Sequence, residues 1–163
     1  MEVRYLAPQD DRMAVSHIYE ASWKATYRGI VPQSYLDGIP AGQWAAGLDS
    51  GEMRHVLLVD QGALIGASGF CGSRSPQFGG FGEIVSLYLL PERVGTGCGR
   101  RLLTFVLKEL AELGYTDAFL WVLEENRAAR AFYQKAGFVQ KGPAQVLTAG
   151  GAALRALSYC RRI

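Results

Sequence analysis

The sequence predicts one mixed α/β domain across residues 1–163. Three observations lead there. Short apolar runs bounded by glycine and other turn residues occur before, between and after stretches of helical period. The chain has 163 residues, 49% hydrophobic and 20% charged, enough to bury a real core. No internal repeat, linker or low-complexity tract divides it.

Read in order, "VRYLAP" is a short first strand ended by Pro8. From Asp10 to Arg28 a helical period places Ala14, Ile18, Ser22 and Ala25 on one side, with Gly29 and Pro32 beyond its end. "QSYLDGI" and "GQWAAGL" read as short helical pieces. "HVLLVD" and "ALIGASGFCG" are strands around a Gln-Gly turn, "SPQFGGFG" is a loop, and "EIVSLYLL" is the next strand. From Gly99 to Leu113 the pattern is helical, with Leu102, Val106, Leu110 and Leu113 on one stripe and Gly114 as its stop. "DAFLWVL" is a strand. "NRAARAFYQKA" is a helix opened by Asn126 and closed by Gly137. "FVQKGPAQVLT" and "ALRALSYCRR" are the last strands, joined by "AGG", which makes seven in all.

Composition removes several function classes. A formal net charge of +2, with scattered basic residues and no aromatic-interleaved basic stripe, argues against nucleic acid. Cys71, Cys98 and Cys160 are three widely spaced thiols, which fits neither a disulfide framework nor a zinc site. His17 and His55 are isolated, so no metal site is expected. No apolar run approaches the ~20 residues of a membrane span, and "MEVRYLAPQDD" lacks the apolar core of a secretory signal. A cytoplasmic protein without membrane partners is expected.

The stretch "LLPERVGTGCGRRLL", Leu89 to Leu103, joins a strand to a helix through three glycines. The first N–H groups of a helix lack internal acceptors, and its dipole favours negative charge there, so such a turn suits an anion. A phosphate loop of the Gly-Lys-Ser/Thr type fails, because Arg100 and Arg101 follow Gly99. A dinucleotide fingerprint fails, because Arg100 takes its last position. A ligand-free tight turn stays open from these residues alone.

Downstream, "NRAARAFYQKAGF" has the form Asn-x-x-Ala-x-x-Phe-Tyr-x-x-x-Gly-Phe. The two stretches together resemble the GNAT superfamily of N-acetyltransferases. The match runs from about Glu83 to Phe138, and "SWKATYRGIVP" is similar to the opening helix and loop of small bacterial members. The resemblance implies a mixed, mostly antiparallel, twisted sheet of about seven strands flanked by about four helices. It implies an acetyl-CoA-dependent transfer of an acetyl group to a primary amine of a small molecule or peptide, by direct attack. It also implies a loop, Val94, Gly95, Thr96, Gly97, Cys98, Gly99 and Arg100, that holds the coenzyme A pyrophosphate largely through main-chain N–H groups. One position departs: Val94 stands where the family carries Gln or Arg, leaving Arg93 and Arg100 as the nearby cations.

The resemblance also assigns site residues. Tyr133 is expected near the thioester sulfur, as the acid to the departing thiolate. A phenol at the core boundary that merely wets its hydroxyl is the plain alternative. Glu83 is expected as general base, directly or through water. By strand alternation it shares a face with Val85, Leu87 and Leu89, and partial desolvation makes a carboxylate a better base. A solvated strand-end charge is its alternative. Main-chain groups at Leu87 and Leu89 are expected to bond the pantetheine arm, beside a splayed sheet. Asn126 is expected to face the cofactor as well as cap its helix. Trp23 and Tyr27, in an aromatic stripe with Tyr19, are candidates for the acceptor pocket with Glu83, and packing alone would also explain the stripe. Family members are often dimers, and the strand-rich C-terminus offers an edge for one. A non-catalytic acyl-CoA-binding module and a nucleotide-cofactor oxidoreductase are the rival functions.

Overall fold

The computed structural model describes all residues from Met1 to Ile163. In chain order the elements are β1 (Glu2–Tyr5), α1 (Arg12–Thr26), α2 (Gln33–Asp37), β2 (Arg54–Asp60), β3 (Ala63–Gly72), β4 (Gly82–Leu89), α3 (Cys98–Glu112), β5 (Asp117–Leu123), α4 (Arg127–Lys135), β6 (Val139–Gln140), β7 (Gln145–Ala149) and β8 (Ala152–Arg162). Short 3-10 turns at Ala46–Asp49, Pro76–Phe78 and Pro91–Arg93 complete it. All strands join one sheet in the order β1-β2-β3-β4-β5-β8-β6, with β7 also on β8. Every pairing is antiparallel except β4 with β5.

The sheet has eight strands because "FVQKGPAQVLT" breaks into β6 and β7. Gly142, at φ 82°, and Pro143, which has no N–H to give a ladder, interrupt it. Ser158 Oγ bonds the Lys141 carbonyl at the break.

α3 and α4 cover one face of the sheet. Leu102, Leu103, Val106, Leu107 and Leu110 of α3 pack with Phe70, Ile84, Leu120 and Tyr159. A Cβ at Gly82 would lie 2.7 Å from Leu110 Cδ2, so glycine lets α3 approach the start of β4. Leu113, expected on the buried stripe, is 42% exposed just past the helix end.

α1 covers the opposite face. Its first N–H groups are satisfied by Asp11, whose carboxylate accepts from Met13 and Ala14. The buried residues are Val15, Ser16, Ile18, Tyr19 and Ser22. Of the expected stripe, Ile18 and Ser22 are buried while Ala14 is half-buried and Ala25 exposed; the buried face instead takes in Val15 and Tyr19, which bury more apolar area than alanine. Val15, Ile18 and Tyr19 meet Leu57, Val59 and Ala67, and α2 packs Leu36 against Val31, Ile39 and Leu154.

Candidate active site

The sheet opens between its two central parallel strands. β4 and β5 pair only at Gly82 with Ala118 and Glu83 with Phe119. Beyond that point β4 stays with β3 as far as Leu89, while β5 follows β8 to Leu123. The β4 backbone from Val85 to Leu89, including Leu87, thus has no strand partner on its β5 side.

A register shift against β3 accompanies the opening. Gly69 pairs with Ser86 and Phe70 with Ile84, so Val85 is an extra residue on β4. Such a bulge reverses the alternation of side chains beyond it. Ile84, Leu87 and Leu89 pack with the α3 cluster, while Tyr88 packs with the α1 cluster. Glu83 stands opposite Cys71 on the α1 face. The expected single face of Glu83, Val85, Leu87 and Leu89 is therefore corrected: Glu83 lies across the sheet from Leu87 and Leu89.

At the end of β4 the glycine turn leads into α3. Gly95 and Gly97 have φ of 80° and 86°, and a Cβ at either would meet nothing within 4 Å. They are needed for left-handed backbone, not for space. Thr96 Oγ1 donates to the Arg93 carbonyl at 2.7 Å and lies 3.2 Å from Cys98 Sγ, which fixes the loop from within. Gly97 is the N-cap of α3 and supplies no side-chain acceptor. The backbone N–H groups of Gly95, Thr96, Gly97, Cys98, Gly99 and Arg100 donate to no acceptor in the chain; the first α3 bond runs from Arg101 N to Gly97 O. This is a row of donors at a positive helix end.

The neighbours of this row are divided. Cys98 is buried and packs with Leu102 and Leu103. Gly99 lies close under α4, where a Cβ would stand 3.4 Å from Phe132 Cζ. Val94 is 65% exposed. Arg93 is engaged with Asp60 at 3.3 Å, whereas the exposed Arg100 forms no ion pair.

α4 brings Asn126 and Tyr133 to the same region. Asn126 is buried, and its side chain accepts from Ala129 N at 3.2 Å, the capping role. Tyr133 is buried against Phe132 and Phe138, with ring centroids 5.1 and 5.7 Å away. Burial pushes its phenol well above the usual range, and the Tyr27 phenol adds to this. It is a proton donor held neutral.

Across residues 15–138 the chain matches the model of the acetyltransferase (GNAT) family. This chain belongs to the GNAT family. A relative from Bacillus subtilis (strain 168), the uncharacterized N-acetyltransferase YuaI, is 32% identical over 130 residues, covering 78% of this chain and 75% of its own. The PaiA N-acetyltransferase of Thermoplasma acidophilum, solved with coenzyme A, superposes with a TM-score of 0.76 at 22% identity, over 99% of this chain and 98% of that one. The structure of yncA from Salmonella typhimurium with its cofactor acetyl-CoA superposes with a TM-score of 0.75 at 20% identity, over 99% of this chain and 92% of that one. By family the chain is an N-acetyltransferase.

The α1 face of this GNAT domain carries groups that sequence reasoning missed. Trp23 Nε1 donates to the Tyr88 hydroxyl at 3.0 Å. The Tyr27 ring lies 4.8 Å from Trp23, edge on. Tyr19 packs 5.0 Å from Tyr88, and its hydroxyl lies 3.1 Å from Ser86 Oγ. Burial pushes the Tyr88 phenol far up, reinforced by Tyr27 beside it. Trp23 and Tyr27 thus meet the open part of β4 through Tyr88. Its place in "SLYLL" looked like ordinary strand alternation, and only the bulge sends it to the α1 side.

Arg74 was also missed. Glu83 is 3% exposed, and both its oxygens are taken. Arg74 donates to it from N at 2.9 Å, from Nε at 3.2 Å and from Nη2 at 2.7 Å. The arginine lies in the loop after β3 and reaches back to the strand that follows. No three His, Cys, Asp or Glu side chains gather as a metal ligand set, and no helix is long and apolar enough to cross a membrane.

Proposed function

We propose that the protein transfers the acetyl group of acetyl-CoA to a primary amine by direct attack. The observation that carries this reading is the row of unpartnered N–H groups from Gly95 to Arg100, set at the end of an open strand edge. Main-chain donors at a helix start suit a diphosphate. Leu87 and Leu89 offer backbone groups along the gap for the pantetheine arm, and Arg100 is the free cation beside the loop. Acetyl-CoA supplies the acetyl group as a thioester.

Tyr133, protonated at all ordinary pH, gives its proton or a hydrogen bond to the departing sulfur. Asn126 orders the start of α4, on which Tyr133 rides. On the acceptor side stand Trp23, Tyr27 and Glu83. With both oxygens of Glu83 held by Arg74, a water takes the amine's proton. Glu83 serves as the anchor of a cation at the acceptor mouth.

The test is thiol release from acetyl-CoA over a panel of primary amines. Amine-dependent release supports the enzyme. Binding of acetyl-CoA with no release under any amine favours a non-catalytic acyl-CoA-binding module.

A further inference from the structure

We propose that Arg74 reads a carboxylate on the acceptor, so the preferred substrate is an amine that also carries a carboxylate some distance from the reacting nitrogen. The inference rests on the N-acetyltransferase reading and names its acceptor class.

Arg74 has two different ends. Nε and one Nη2 proton face Glu83, whose side chain is 4% exposed. Nη1 donates to nothing in the chain, and the Arg74 side chain as a whole is 56% exposed. A guanidinium has five N–H donors in a rigid planar fork. One edge is spent on the buried carboxylate, and the other, Nη1 with the second Nη2 proton, faces outward. That edge matches a second carboxylate in bidentate geometry. Glu83 fixes the fork in advance, since its Oε2 also accepts from the Arg74 main-chain N–H at 2.9 Å and its backbone is paired on both sides, with Cys71 of β3 and Phe119 of β5. The loop is braced by Ser73, whose N donates to Phe81 O at 2.9 Å and whose hydroxyl donates to Ser75 O at 2.8 Å. An acceptor carboxylate therefore meets a fork that is already oriented, with little ordering left to do.

The location fits an acceptor. Glu83 is the last residue of β4 paired with β5, so Arg74 sits at the root of the opening, on the α1 face shared with Tyr88. Phe78, Phe119 and Trp121 form an aromatic wall there, with centroids 4.3 and 6.2 Å from Phe78. Glu83 and Leu87 are four residues apart, roughly 10–13 Å of strand. A carboxylate at Arg74 and an amine reacting further along the gap are thus separated by a short chain, which suits an ω-amino acid better than an α-amine beside its own carboxylate. Glu83 is paired with Arg74, and Glu124 with Arg155 at 2.8 Å, so neither of these carboxylates is free to take the second cation of a polyamine.

The experiment compares each acid with its decarboxylated amine: 6-aminohexanoate with pentylamine, and lysine with cadaverine. The wild-type protein is expected to favour the acids by roughly tenfold or more in kcat/KM, mostly through KM. Arg74→Lys keeps the charge and loses the fork, so the preference shrinks. Arg74→Gln brings the ratio to about one. If that variant unfolds with Glu83 left unpaired, the double substitution Arg74→Gln with Glu83→Gln replaces the ion pair by neutral amides and gives the same readout. Equal KM for acids and amines, or a preference that survives Arg74→Gln, overturns the inference and leaves the N-acetyltransferase reading standing. No thiol release with any amine overturns both.

Discussion

Trp23 Nε1 donates to the Tyr88 hydroxyl at 3.0 Å, tying the last turns of α1 to β4 where β4 has lost its β5 partner. The bond joins two half-buried aromatic groups beside the sheet opening. Trp23→Phe keeps the ring packing and removes the donor. A loss of about 1–2 kcal/mol in urea unfolding is expected, together with a raised acceptor KM and an unmoved donor KM. A variant as stable as wild type, with the same acceptor KM, would show that the bond holds nothing in place.

The two glycine requirements separate stability from donor binding. Gly82→Ala drives a Cβ to 2.7 Å from Leu110, so the protein should lose about 1–3 kcal/mol. Gly97→Ala meets open space and strains only a left-handed residue, at about 1 kcal/mol. It also turns the N–H row, so its main effect is expected on coenzyme A affinity. Urea melts with and without coenzyme A, run on both variants, check the difference in rank order.

Tyr133→Phe removes a phenol that burial keeps protonated. A fall in kcat of about a hundredfold is expected, with the donor affinity kept. Steady-state kinetics with an isothermal titration of coenzyme A decide it; an unchanged kcat removes the proton-donor role.

His55 gives a pH dependence to the fold. Both its ring nitrogens are buried without a partner, and burial holds its imidazolium below the usual value, partly offset by Asp49. The unfolded histidine takes a proton near pH 6.5, where the folded one still refuses it. Stability is therefore intact above that pH and falls as pH drops below it. Urea midpoints at pH 7.5 and 5.5 should differ more in the wild type than in His55→Leu. Equal pH sensitivity in the two proteins would discard the explanation.

The parts of this molecule set by local rules were readable from the chain. α3 followed from leucine spacing and the Gly114 stop, and α4 from Asn126 and Gly137. β5 matched "DAFLWVL" residue for residue. What could not be read depends on partners far away in sequence. The bulge at Val85 exists only in register with Gly69 and Phe70, and it decides which face Glu83 and Tyr88 occupy. The Arg74 anchor crosses a loop whose course no periodicity reports. The α1 stripe was right at Ile18 and Ser22 and wrong at Ala14 and Ala25, because alanines and serines on neighbouring faces carry too little contrast to fix the phase.

The central claim is that main-chain donors from Gly95 to Arg100 hold the diphosphate of the acetyl donor. A crystal structure with acetyl-CoA tests it most directly. The expected result is diphosphate oxygens within about 3.2 Å of several of those N–H groups, with the pantetheine arm along Leu87 and Leu89. A diphosphate bound elsewhere, with the N–H row facing only solvent, would contradict the account.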